Sequence, residues 1–67
     1  MQVCINGNWT DLTAEIHTVQ ELIQHLDLSE RTIVIEQNGE ILEKSDHIKR
    51  ILKNEDKLEI VTFVGGG

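Results

Sequence analysis

The sequence contains no proline, one cysteine and only six basic residues among 67. With no proline and no internal repeat, nothing marks a linker between domains, and the length leaves no room for a second domain. The single Cys4 permits no internal disulfide and suits a reducing compartment. No apolar run exceeds three residues, far short of a membrane span or the hydrophobic stretch of a secretory leader. Twelve acidic residues against six basic ones give a net charge of −6. Such a surface repels phosphate backbones and anionic lipid, so nucleic acid and membrane are excluded as expected partners. The expectation is a small, acidic, soluble domain of the cytoplasm.

What is present is aliphatic. Nine Ile and seven Leu stand among 26 apolar residues, enough for one sheet and one covering helix. A chain this short hides only about 60% of its unfolded surface. It is not expected to wall a deep catalytic pocket as well, which typically needs about 300 Å³ or more. A self-sufficient enzyme is therefore not expected.

Met1, Val3 and Ile5 alternate with Gln2 and Cys4, the period-two pattern of a half-buried strand. Asn6-Gly7 then signals a type I′ hairpin turn, in which both central residues need positive φ. With that turn, Ile5 faces Asn8, Cys4 faces Trp9, Val3 faces Thr10 and Met1 faces Leu12. Facing residues share a side of the sheet. Met1, Val3, Ile5 and Leu12 are thus assigned to the core, Cys4 and Trp9 to the outer face. Thr18 and Glu21 have capping-box spacing, and Val19, Leu22, Ile23 and Leu26 form one apolar helical stripe. Thr32 to Gln37 is β-branched and reads as a strand with Ile33 and Ile35 toward the helix. Asn38-Gly39 is a second turn, with Glu40 to Leu42 returning. Between Lys44 and Asn54, Ile48, Ile51 and Leu52 have helical spacing, but a loop with one 3₁₀ turn fits equally. Lys57 to Val64 is the last strand, Leu58 and Ile60 inward, Lys57, Glu59, Val61 and Phe63 outward. A helix between the hairpin and the later strands allows the last strands to pair beside the first. The economical solution is an α+β, β-grasp (ubiquitin-like) fold: a mixed sheet of four to five strands packed on one main helix. The domain is expected to span residues 1–64, with residues 65–67 as a flexible tail.

That tail is Gly65-Gly66-Gly67. Fully extended it reaches about 10 Å beyond the body, and without Cβ atoms it can thread a slot too narrow for other residues. The group at its tip is the α-carboxylate of Gly67, ionised at neutral pH and hence a poor electrophile. Chemistry there requires activation, most simply exchange with ATP to an acyl-adenylate. A sulfur donor or an amine can then displace AMP. The carrier supplies the handle and a partner supplies the catalysis. A frayed tail is the bland alternative.

The run Leu58-Glu59-Ile60-Val61-Thr62-Phe63-Val64-Gly65-Gly66-Gly67 resembles the C-terminus of the ThiS family, the sulfur carriers of thiamin biosynthesis. Ile35-Glu36-Gln37-Asn38-Gly39-Glu40-Ile41 is similar to that family's V-E-x-N-G-E-I segment, Thr18-Val19-Gln20-Glu21-Leu22 to its helix start, and Asn6-Gly7 to its first turn. The resemblance implies that an ATP-dependent adenylyltransferase related to ubiquitin-activating enzymes adenylates Gly67. A sulfur-transfer system drawing on cysteine then makes the thiocarboxylate, and thiazole synthase takes the sulfur. It implies no bound cofactor, the ATP being used by the activating partner. Glu43 and Glu55 depart from the family, which often has Pro and Gly there, and put local loop geometry in question. A related carrier for molybdopterin synthesis or protein conjugation, or a non-catalytic β-grasp interaction module, is the alternative.

The remaining candidates are weaker. Val61 and Phe63 form a possible docking patch guiding the tail into partners, which Cys4 and Trp9 could extend; scattered surface apolar residues are the bland reading. No cation stands near Cys4 in sequence to activate a thiolate, so a passive side chain is expected. His17, His25 and His47 lack metal-ligand spacing and are assigned to solvated positions. The carboxylates, Glu36 and Glu59 included, are assigned to a solvated face that could steer the carrier toward basic grooves. No catalytic residue and no metal site is assigned, and the free chain is expected to be a monomer.

Overall fold

The computed structural model describes residues 1–63. Five strands form one sheet: β1 (Gln2–Ile5), β2 (Asn8–Asp11), β3 (Thr32–Gln37), β4 (Glu40–Leu42) and β5 (Lys57–Phe63). The order across the sheet is β2-β1-β5-β3-β4. β1 and β5 are parallel, and the other pairs are antiparallel. One helix, α1 (Val19–His25), connects the two hairpins. This is the β-grasp arrangement, with the C-terminal strand in the middle of the sheet.

Both hairpins close as their Asn-Gly pairs dictate. Asn6 and Gly7 have φ of 50° and 84°, Asn38 and Gly39 of 51° and 86°, the left-handed values of a type I′ turn. The first hairpin has the register expected from a two-residue loop, Gln2 to Ile5 facing Asp11 to Asn8. Val3 and Leu12 are buried, but Ile5 is only half-buried and Met1 is exposed. Met1 is therefore corrected out of the core. It precedes the first residue of β1, where only its backbone bonds to Leu12 continue the pairing.

The helix starts and ends on its own side-chain signals. The Thr18 hydroxyl accepts from the Glu21 N–H at 3.1 Å, and Glu21 Oε1 accepts from the N–H groups of His17 and Thr18 at 2.8 and 2.9 Å. Those backbone donors, His17 first and Thr18 next, hold the Glu21 carboxyl below the usual range. At the other end Asp27 takes φ of 60°. The Leu28 N–H donates to the Ile23 carbonyl and the Asp27 N–H to that of Gln24, at 3.0 and 3.1 Å, the Schellman closure that stops a helix with a left-handed residue. Val19, Leu22 and Ile23 are buried against Val3, Ile35, Leu58 and Ile60 of the sheet, with Leu26 and Ile33 packed at the margin. Ile16, just before the helix, joins the same core.

From Lys44 to Leu52 the chain makes one 3₁₀ turn (Lys44–Asp46) and then no helix. The reason lies in where its carbonyls go. His47 and Arg50 accept from the N–H groups of Gln20 and Val19, at 2.9 and 3.0 Å. They satisfy two of the free donors of α1 instead of building a helix of their own. Ile48 and Ile51 are exposed and only Leu52 is buried, so the helical spacing of these three carries no common face.

At Glu43 and Glu55 the backbone has dihedrals that would also suit Pro and Gly respectively. Glu43 has φ of −80°, within proline's range, although its N–H donates to Asp46 Oδ2 at 3.0 Å. Glu55 has φ of 71°, a left-handed value that costs a side-chain-bearing residue about 1–2 kcal/mol. Glu55→Gly relieves that strain and gives back part of it as extra freedom of the unfolded chain. The expected net gain is about 1 kcal/mol, a rise in Tm of about 4–8 °C by thermal denaturation. An unchanged or lower Tm would show that the strain is absorbed elsewhere.

Candidate functional site

β5 is held from both sides at its start and from one side at its end. The alternation expected of β5 holds for the residues assigned: Leu58 and Ile60 are buried, while Lys57, Glu59, Val61 and Phe63 are exposed; Thr62, on the inward parity, is exposed too. Along β3 the register runs from Gln37 against Leu58 to Thr32 against Phe63. On the other flank, β1 pairs only through Cys4 with Lys57 and Ile5 with Leu58. There the chain turns away, and the Asn6 side chain takes over. Its Oδ1 accepts from the Ile60 N–H at 2.7 Å, and its Nδ2 donates to the Ile60 carbonyl at 3.0 Å.

The turn before β5 is fixed by Asp56, a buried carboxylate absent from the expected set. Its Oδ2 accepts from Gln37 Nε2 at 2.9 Å and from the Lys53 N–H at 2.8 Å, and its Oδ1 accepts from Asn38 Nδ2 at 2.9 Å. Asn38 Oδ1 in turn accepts from the Lys57 N–H at 2.9 Å. Burial alone would raise the Asp56 carboxyl. The hydrogen bonds from Asn38, the Lys53 N–H and Gln37, with the nearby Lys53 charge, outweigh it and hold the group below its ordinary value. Asp56 thus corrects the assignment of all carboxylates to a solvated face. Glu36 and Glu59 do face each other on the outer side of the sheet.

Val61 and Phe63 are 54% and 51% exposed, and the direct partner of Val61 on β3 is Val34, 38% exposed. This outer apolar strip therefore runs from β5 toward β3. It does not run toward Cys4 and Trp9, because Cys4 sits level with Lys57, four residues before Val61. The sequence reading missed Val34, whose outward parity in a β-branched run was its only signal. Cys4 is a half-buried free thiol in mid-strand.

His17 and His25 are exposed, whereas His47 is buried, a correction to its expected solvated position. Burial is the main cause that lowers its pKa; Asp46 pulls the other way and Lys44 adds to the lowering. Its Nε2 has no hydrogen-bond partner among the described residues. Holding the α1 N-terminus through the His47 carbonyl draws the ring inward, which no spacing rule could reveal. Among the described residues no group of three His, Cys, Asp or Glu side chains is placed to hold a metal, and no helix is long and apolar enough to cross a membrane.

The described surface carries shallow concavities rather than a deep pocket. A cleft of about 360 Å³ lies between α1, the segment 28–33 and the 3₁₀ turn, with Ile23, Leu28, Ile33 and His47 at its wall and Arg31 and Lys44 at its rim. It is a surface cleft, since Ser29, Glu30, Arg31, Thr32 and Lys44 are all exposed. Its lining brings no nucleophile to a base. Gly65, Gly66 and Gly67, the residues assigned to the chemistry, lie outside the described residues; the described chain leads to them through β5.

The ThiS family profile matches residues 3–67. The sulfur carrier protein ThiS of Bacillus subtilis is 33% identical over 63 residues, covering 94% of this chain and 96% of that protein. A thiazole synthase of Paramagnetospirillum magneticum is 39% identical over 67 residues, which are all of this chain and 20% of that protein, so this chain spans about a fifth of that relative. The crystal structure of a thiamine biosynthesis protein (ThiS) from Geobacter metallireducens superposes with a TM-score of 0.82 at 29% identity, covering both chains completely. The profile spans the helix start, both Asn-Gly turns and the central C-terminal strand whose geometry has just been described. The chain belongs to the ThiS family.

Proposed function

We propose that the protein is a sulfur carrier for the thiazole ring of thiamin, with its working atoms on the α-carboxylate of Gly67. A carboxylate oxygen attacks the α-phosphorus of ATP on an adenylyltransferase partner, releasing pyrophosphate and leaving an acyl-adenylate. A sulfur nucleophile at the sulfide level, supplied by a cysteine-derived transfer system, attacks the acyl carbon; the bond to AMP breaks, AMP leaves with the electron pair, and a thiocarboxylate remains. Thiazole synthase then takes the sulfur. The chain performs none of these bond changes itself and uses Gly65 and Gly66 as a narrow stem. Free in the cytoplasm, it is a monomer without bound cofactor.

The observation that carries this reading is the match to a sulfur carrier family through residue 67, on a fold that puts the last strand in the centre of the sheet. A protein named thiazole synthase contains a segment similar along this entire chain, which supports that enzyme as the acceptor. The test is to incubate the protein with a cognate adenylyltransferase, ATP and a cysteine-fed sulfur source, then weigh it. Replacement of one terminal oxygen by sulfur is the expected result. An unchanged mass in the presence of an active partner would overturn the reading.

In the same proposal the strip of Val34, Val61 and Phe63 docks the partners. Phe63→Asp places a charge in that strip at a half-exposed position. It is expected to weaken binding to the adenylyltransferase about tenfold or more, with little change in Tm. Equal affinities for the variant and the parent protein would remove the strip from the interface.

A further inference from the structure

Asn6 carries a side chain that its turn does not require. Its φ of 50° is one glycine adopts without steric cost, yet its amide reaches across to Ile60. Backbone pairing of β1 with β5 ends at Ile5 and Leu58, with the Asn6 N–H on the Leu58 carbonyl at 2.9 Å. A carboxamide has the polarity and nearly the shape of a peptide unit. The Asn6 amide, bonded to both the N–H and the carbonyl of Ile60 at 2.7 and 3.0 Å, therefore continues the parallel ladder one step after the strand itself has left. Beyond Ile60, the residues Val61, Thr62 and Phe63 pair with β3 alone among the described residues. The amide is the last hold on the β1 side before residue 64.

We propose that Asn6 is a positioning residue for the transfer chemistry at Gly67, acting through the β5 backbone to fix the direction in which the C-terminal segment leaves the sheet. The proposal rests on the carrier reading above. Asn6 touches neither the reacting carboxylate nor a partner in this scheme. Without its amide, Leu58 and Ile60 remain buried and the domain stays folded, but the end of β5 samples more directions. A docking partner must then order it, and such an ordering cost falls on association more than on the chemical step.

The second hairpin supplies the control. Asn38 also sits at positive φ in an Asn-Gly turn and also bonds the β5 backbone, but at Lys57, the far end from the tail. The test compares Asn6→Gly and Asn38→Gly in steady-state adenylation by a cognate adenylyltransferase, followed by pyrophosphate release at varied carrier concentration, together with amide hydrogen exchange. Asn6→Gly is expected to raise KM for the carrier about tenfold, the loss of roughly one net pair of hydrogen bonds, with kcat within twofold. The Ile60 amide should exchange about tenfold faster while amides of β3 keep their rates. Asn38→Gly should leave KM within twofold even where it lowers Tm more. An unchanged KM in Asn6→Gly alongside faster Ile60 exchange overturns positioning and leaves the carrier reading intact. An equal rise in Asn38→Gly also overturns it, since KM would then follow stability. A parent protein that is not adenylated at all defeats the carrier reading and this proposal with it. If Asn6→Gly does not fold, Asn6→Asp decides: it keeps the size and the acceptor for the Ile60 N–H but offers no donor to the Ile60 carbonyl. Its expected KM lies between those of the parent and a tenfold rise, and an unchanged KM overturns the proposal.

Discussion

Deleting Gly67, or adding an alanine after it, is expected to abolish thiocarboxylate formation while leaving the unfolding transition of the domain where it was. Both changes keep a terminal carboxylate of ordinary acidity, so the chemistry of the group is unaltered. What changes is its position. One residue of extended chain moves it by about 3.3–3.6 Å, and a displacement of about 1 Å already costs on the order of 10²-fold in a positioned reaction. Loss beyond detection is the result to expect when the carboxylate must meet the α-phosphorus of a bound nucleotide. The fold should not register the change, because the core is complete within the described residues, from Val3 to Ile60. The measurement pairs a mass determination after incubation with the activating system and a thermal melt of each variant. Full loading of either variant would sink the assignment of the chemistry to Gly67. Loss of loading together with a large fall in Tm would instead make the tail part of the folded body.

The parts of this molecule that could be read from its sequence are those governed by local rules. Two Asn-Gly pairs fixed two hairpins and their registers, because a type I′ turn leaves no freedom in what faces what. Thr18 and Glu21 located the helix start, and the alternation of Leu58 and Ile60 against Glu59 and Val61 gave the faces of the final strand. The parts that could not be read depend on contacts between distant segments. Asn6 and Asn38 look like turn residues alone. That their amides bond the backbone of β5 follows only from where the sheet places that strand. Asp56 reads as one more acidic residue in a polar turn until Gln37 and Asn38 are brought to it. His47 and Arg50 lend their carbonyls to α1, which is why a segment with helical spacing forms no helix. For the candidate site, the outward parity of Val61 and Phe63 was legible, while Val34 entered only with the register between β3 and β5.

Asp56→Ala is expected to be the most destabilising substitution outside the apolar core, by about 3 kcal/mol. It leaves Gln37 Nε2 with only the Ile51 carbonyl, at 3.2 Å, and takes the acceptor from Asn38 Nδ2 and the Lys53 N–H; each hydrogen bond lost to a charged acceptor costs about 1.5–3 kcal/mol, less where water replaces it. For a domain of this size that is a Tm lower by about 10–25 °C. The same carboxylate gives the acid limb of stability its sign. Its folded pKa lies below its ordinary value of 3.8, so the unfolded chain binds the proton more readily. The stabilisation it provides is present above pH 3.8 and disappears as pH falls through the folded value. His47 acts earlier in the same direction. Its folded pKa lies below the ordinary 6.5, so below that pH the unfolded chain takes up the proton first and stability begins to decline. Urea unfolding should therefore show a midpoint that falls in two stages on acidification, the first attributable to His47 and the second shared by Asp56 and Glu21, whose folded carboxyl also lies below its ordinary value. In Asp56→Ala the second stage should shrink to the part that Glu21 contributes, and the first should be retained. A variant whose midpoint still falls by the same amount below pH 4 would move the acid sensitivity to other carboxylates. A variant as stable as its parent at pH 7 would mean that water satisfies the three donors, and that the start of β5 is held by the sheet alone.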